Sequence, residues 1–148
     1  MKKKELESIL SEMLVPIGFK KKGNYWVING DVITKMINLQ KSNYNNGFYI
    51  NYGYILNSIP LSNLMMHVYN RVTSLDVEEI NRITFLLDLE SNISDQERIR
   101  ALKEMLQRNL IVKVQTVNTE EDLINELKNR PHLNDVPLDV KKHLNLIE

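Results

Sequence analysis

The sequence predicts an α+β fold: an N-terminal helix, an antiparallel sheet of about five strands, and C-terminal helices packed on that sheet. Three observations lead there. Leu6, Ile9, Leu10, Met13 and Leu14 recur at helical spacing near the N-terminus. Phe19 to Leu56 holds most of the aromatic residues and the strongest turn signals. From Ser94 onward, capping residues and helical stripes dominate. A run of strands followed by a run of helices is the α+β order.

The first helix spans residues 3–15 and is stopped by Pro16 and Gly18, after which Phe19 begins the link to the sheet. The first strand is expected at residues 24–29, the second at Val32 to Lys41 and the third at Phe48 to Leu56. Asn29-Gly30-Asp31 is a hairpin signal, because Asn-Gly tolerates the positive φ of a two-residue turn. Ser42 to Gly47 is a longer polar reversal. Pro60 then interrupts pairing, since proline donates no ladder hydrogen bond.

Leu64 to Thr73 predicts a fourth strand with Met66, Val68, Asn70 and Val72 on one face. Asp76 to Glu79 caps a single helical turn, and Arg82 to Leu89, dense in Ile, Thr, Phe and Leu, is expected to be the fifth strand. Ser94-Asp-Gln-Glu97 is a capping box for a helix buried along Ile99, Leu102 and Leu106. Leu110 to Val117 has β-branched strand content, yet Leu106, Leu110, Val114 and Val117 also continue a helical stripe. Both readings stand. Thr119 to Asp122 caps a short helix ended by Pro131, and a last helix is expected over 136–147 with Val136, Val140, Leu144 and Ile147 on one side.

The length of 148 residues suits one globular domain. No apolar run approaches the roughly 20 residues that span a bilayer, and the N-terminus lacks the apolar core of a signal peptide. Without cysteine there is no disulfide, thiolate metal site or thiol nucleophile, and a cytoplasmic location is expected. Net charge is zero but uneven. Residues 1–74 carry nine basic and four acidic side chains (9 − 4 = +5), and residues 75–148 carry ten and fifteen (10 − 15 = −5). A basic sheet half beside acidic helices explains this, as does a basic surface that recruits an acidic partner.

Gly18-Phe19-Lys20-Lys21-Lys22-Gly23-Asn24, Ile37-Asn38-Leu39-Gln40-Lys41-Ser42 and Phe48-Tyr49-Ile50-Asn51-Tyr52-Gly53 resemble the motifs of the bacterial domain-of-unknown-function family 4304. Arg71 matches an arginine recurring in the fourth strand of that family, and the resemblance is specific over about residues 14–72. It implies a compact α+β bacterial protein and no particular activity.

Enzyme signatures are scarce: no Gly-rich phosphate loop, no HExxH and no Gly-x-Ser-x-Gly elbow. His67, His132 and His143 are far apart in sequence, so neither a metal nor another cofactor is expected, and no catalytic residue is assigned. The best candidate binding residues are Gln40, Ser42, Asn51 and Arg71, with Asn38 in the same strand row. Amides next to a guanidinium suit an anionic or peptide ligand. They equally suit satisfaction of irregular backbone, with Arg71 paired to an acid of the C-terminal half, and that structural role is the favoured expectation. Trp26 and Tyr44 are added because exposed Trp and Tyr anchor protein interfaces.

The resulting expectation is a non-catalytic protein-binding domain, immunity- or antitoxin-like in role, whose partner is a toxin-like protein or a second copy. Single-stranded nucleic-acid binding through Lys20 to Lys22 and Trp26 is one alternative, disfavoured by the absence of domain-wide basic charge. A small enzyme or ligand-binding protein using the Gln40/Ser42/Asn51/Arg71 face is the other. No membrane partner is expected.

Overall fold

A computed structural model describes residues 1–147. It opens with α1 (Lys3–Leu14) and a 3₁₀ turn, then β1 (Lys20–Lys22), β2 (Tyr25–Asn29), β3 (Ile33–Lys41), β4 (Phe48–Leu56) and β5 (Val68–Arg71). After the strands come α2 (Val77–Leu87), α3 (Asp95–Leu106), α4 (Val112–Thr116), α5 (Glu120–Lys128) and α6 (Leu138–His143). The five strands form one antiparallel meander in the order β1-β2-β3-β4-β5. The expected α+β architecture is what the chain adopts, although the fifth strand is not the expected one.

That strand is β1, in residues expected only to link α1 to the sheet. Gly23, with φ +63°, sits first in the two-residue turn that pairs Lys22 with Tyr25, the position a type II′ hairpin reserves for glycine. The Asn29-Gly30 turn works differently. Its flanking pair is Asn29 with Thr34, and Gly30 does not have positive φ. Glycine is needed there because a Cβ would lie 2.3 Å from the Ile33 carbonyl oxygen.

Residues 82–89, expected as a strand, belong instead to α2 and its end. The Asp76 side chain accepts the Glu78 N–H at 3.1 Å, starting the helix, and Ile83, Leu86 and Leu87 are buried at helical spacing. The cap decides what apolar content alone leaves open. The fourth strand is shorter than expected, at Val68–Arg71, with Val68, Asn70 and Val72 on the covered side.

Leu110–Val117 is resolved as helix up to Thr116. A π turn, Gln107–Ile111, joins α3 to α4. Arg98, Leu102, Leu106, Leu110 and Val114 are all buried at a strict spacing of four. Four residues overshoot a 3.6-residue α turn, and the wider i→i+5 turn absorbs the excess so the row keeps facing the sheet. Ile99, expected in the buried stripe, is only half-buried. α5 carries the expected capping box between Thr119 and Asp122. α6 is shorter than expected: Val136, Val140 and Leu144 are buried, but Asn145 at φ +56° ends the turn and Ile147 is exposed.

All helices pack on one face of the sheet. Trp26, Ile37, Leu39, Ile50 and Tyr52 join α1, α2, α3 and α4 in one core cluster; Ile33, Tyr54, Leu56 and Val68 join α5 and α6 in a second. No side chain of the opposite face belongs to either cluster. Among the described residues that face therefore has no helix over it.

Candidate functional site

Strand alternation decides what the helix-free face carries. Cross-strand register aligns Lys22, Tyr25, Asn38, Asn51 and Arg71 in one row that crosses all five strands. The adjacent row is Lys20, Val27, Met36, Gly53 and Tyr69, and Gln40 pairs with Tyr49 on the other side. None of the five strands contains an aspartate or glutamate. The face is basic and aromatic.

Three of the expected residues converge at its centre. Arg71 Nε donates to Asn51 Oδ1 at 3.1 Å, Arg71 Nη2 donates to Gln40 Oε1 at 3.2 Å, and Asn51 Nδ2 donates to the same Gln40 oxygen at 2.8 Å. The Arg71 guanidinium also lies 4.0 Å from the centre of the Tyr49 ring, within cation–π range. Asn51 is buried beneath this network, whereas Gln40 and Arg71 are exposed. Asn38 Oδ1 is enclosed beside it with no hydrogen-bond partner among the described residues.

This corrects the favoured expectation for Arg71. It bonds amides, makes no ion pair among the described residues, and is not buried. The two amides fix the guanidinium in one orientation while leaving its positive charge uncompensated.

Trp26 does not join the site. It is 0% exposed, lies on the helix-covered face, and its indole N–H donates to Ser11 Oγ at 3.0 Å. It therefore cannot stack on a base or meet a partner, and the aromatic residue beside Lys22 on the open face is Tyr25. Ser42 is buried at the loop: its N–H donates to the Gly47 carbonyl and its hydroxyl accepts the Tyr44 N–H. No histidine or carboxylate bonds the Ser42 hydroxyl among the described residues, so it has no base to activate it. Tyr44 is 92% exposed on the same loop.

A cleft of about 420 Å³ adjoins the network, lined by Ser42, Tyr49 and Arg71 and by Ile80, Thr84 and Phe85 of α2. Phe85 and Ile80 are exposed there. A strand over residues 82–89, as expected from their apolar content, would not present this apolar wall. The 3.6-residue spacing of Ile80, Thr84 and Phe85 is the signal that identifies it.

Two other constellations bear on chemistry. Ser58 Oγ and Glu120 both contact His143 Nε2, at 3.2 and 3.0 Å. A hydrolytic triad needs the serine on one ring nitrogen and the carboxylate on the other, so this is not one. No group of three His, Asp or Glu side chains able to hold a metal occurs among the described residues.

Glu126, behind β5, is more unusual. Burial pushes its carboxyl above the usual range, and Arg130, Lys113 and a 3.4 Å hydrogen bond from Asn70 only partly oppose this. Its folded-state value thus exceeds the unfolded one, so its contribution favours the fold below about pH 4.3 and is lost as pH rises through the folded value. Relative to wild type, Glu126→Gln is expected to gain stability progressively over that window and level off above it. Urea melts of both proteins at a series of pH values check this.

The fold and this site define a class: an α+β domain whose sheet is covered by helices on one side and open on the other. The chain belongs to the family described as domain of unknown function (DUF4304), whose model matches residues 10–130, from α1 through α5. No curated protein and no solved structure matches it. No helix is long and apolar enough to cross a membrane among the described residues.

Proposed function

We propose that this chain is a non-catalytic protein-binding domain that engages an acidic partner through the helix-free face of its sheet. One observation carries the reading. A guanidinium locked by Gln40 and Asn51 stands on a five-strand face free of acidic residues, with Tyr25 and Tyr49 half-buried and Tyr69 exposed around it. Oriented Arg and Tyr side chains are the residue types that anchor interfaces, because their large contact area is already held in place before binding. Tyr44 and the Phe85 wall extend the surface at the loop end. In its concrete form this is an immunity- or antitoxin-like role in a bacterial cytoplasm, supported by the lack of an assembled catalytic group among the described residues and by analogy of build.

The test is co-expression with the products of the genes flanking its own. One of them is expected to form a stoichiometric complex. Arg71→Ala and Tyr49→Ala should each weaken that complex by more than about tenfold. Both variants should keep stability within about 1 kcal/mol of wild type, since neither side chain is in the core. Lys103→Ala, whose side chain pairs with Glu12 away from the sheet, should leave binding unchanged. Complexes that tolerate both face variants overturn the reading. So does salt-sensitive binding of a single-stranded oligonucleotide that the same variants abolish.

A further inference from the structure

Behind β5, on the helix-covered side, a second cleft of about 560 Å³ opens between the sheet and α4 and α5. Its size suits a small molecule. Tyr52 and Asn70 from the sheet, Lys113 from α4, Asn125 and Glu126 from α5, and Arg130 line it. This is a different surface from the open sheet face, although Arg71 borders both.

The hydrogen bonding of this wall is incomplete at one place. Glu126 Oε2 is enclosed with no partner among the described residues, and Oε1 receives only the long 3.4 Å bond from Asn70. Arg130, the positive charge that acts most strongly on Glu126, is committed elsewhere. Its Nη2 donates to Asn70 Oδ1 and the Tyr69 carbonyl, and its Nη1 faces Asp135. An enclosed carboxylate oxygen without a donor is costly, and an incoming N–H group relieves that cost. A metal ion is a poor fit, because the second carboxylate of the lining, Asp122, already accepts the Asn118 and Thr119 N–H groups and no three-ligand group forms among the described residues.

The cleft also carries the opposite charge. Lys113 lines it and forms no ion pair among the described residues. A donor-seeking carboxylate and a free ammonium in one small cleft match a ligand that bears both complementary charges. The Tyr52 hydroxyl and the Asn125 amide add neutral donors and acceptors to the same wall.

We propose that this cleft binds a small zwitterion of the free amino-acid class, with its ammonium on Glu126 and its carboxylate facing Lys113.

The probes are the L-amino acids at millimolar concentration, read by thermal shift and calorimetry on the whole chain. A subset is expected to raise the melting temperature and give a saturable heat. Glu126→Gln and Lys113→Met should each weaken that binding by more than about tenfold, the loss of one charged hydrogen bond. Glu126→Gln removes a buried charge, so it should melt no lower than wild type and its loss of binding cannot be ascribed to unfolding. Amines lacking the carboxylate and acids lacking the amine should not bind. The proposal is overturned if no amino acid shifts the melt, if the shift survives in Glu126→Gln, or if a simple amine binds as well as its amino acid. None of these outcomes bears on partner binding by the Arg71 face, because the Arg71→Ala complex assay is read separately.

Discussion

Arg98→Met is expected to lower stability by about 3–6 kcal/mol, the loss of two or more hydrogen bonds from a buried charged donor at about 1.5–3 kcal/mol each. Arg98 is 1% exposed, yet no acid pairs with it among the described residues. Its guanidinium closes the end of α2 and the turn that follows. Nη1 donates to the Leu86 carbonyl at 3.0 Å and the Asp88 carbonyl at 2.8 Å, and Nη2 donates to the Ser91 carbonyl at 2.6 Å. The Leu86 carbonyl is one that the end of α2 leaves without an intrahelical donor, and the partial negative charge there holds the cation. Methionine fills the volume but leaves the Leu86 carbonyl without a donor, at about 1–3 kcal/mol, and takes a charged donor from the Asp88 and Ser91 carbonyls, which keep the Ser91 and Ile93 N–H groups. Lysine should not rescue the variant, because a single ammonium cannot reproduce the planar fork. Urea denaturation decides it: a midpoint lowered at unchanged slope is expected, and a midpoint within 10% of wild type would refute the assignment.

Gly53→Ala is expected to cost about 2–3 kcal/mol, an overpacking effect at the upper end of its usual range. A Cβ at this position would stand 2.0 Å from the Val68 carbonyl oxygen and 2.3 Å from Met66 Sδ. The methionine can swing aside, but the carbonyl belongs to β5, and Gly53 pairs directly with Tyr69 in that strand. Relief therefore requires β5 to move away from β4. Because Arg71 reaches Asn51 across the same ladder, the change should also disorder the guanidinium network. Hydrogen exchange gives the readout: amides of β5 should lose protection before those of β3, and uniform protection would contradict this mechanism.

Legibility followed the range of the interaction. β3 and β4 were readable because nine-residue strands of β-branched and aromatic residues state their own period. The helix caps were readable because Ser94 and Thr119 act on backbone three residues away, although only Thr119 and Asp122 complete the reciprocal box. β1 was not readable: Lys20 to Lys22 has no strand propensity, and becomes a strand only because β2 offers an open edge to pair with. Residues 82–89 misled because their apolar content fits a strand or a helix equally, and the choice lay with Asp76 upstream.

The site divides in the same way. Strand parity alone placed Asn38 and Gln40 on one face and Asn51 opposite them. Parity cannot say which face the helices will cover, and that choice made Trp26 core and left Arg71 exposed. It also reversed the two arginines. Arg71, at the end of β5, carries exposed charge, whereas Arg98, in α3, is the buried one. By itself the sequence determined the α+β order, the two long strands, the capped helices and the row of amides, since each depends on neighbours a few residues away. Only the tertiary structure decided which sheet face stayed open, where Glu126 lost its hydrogen-bond partner, and which arginine became structural. Those depend on what packs across the chain, and burial, which sets the cost of every unpaired charge, is not encoded within any one segment.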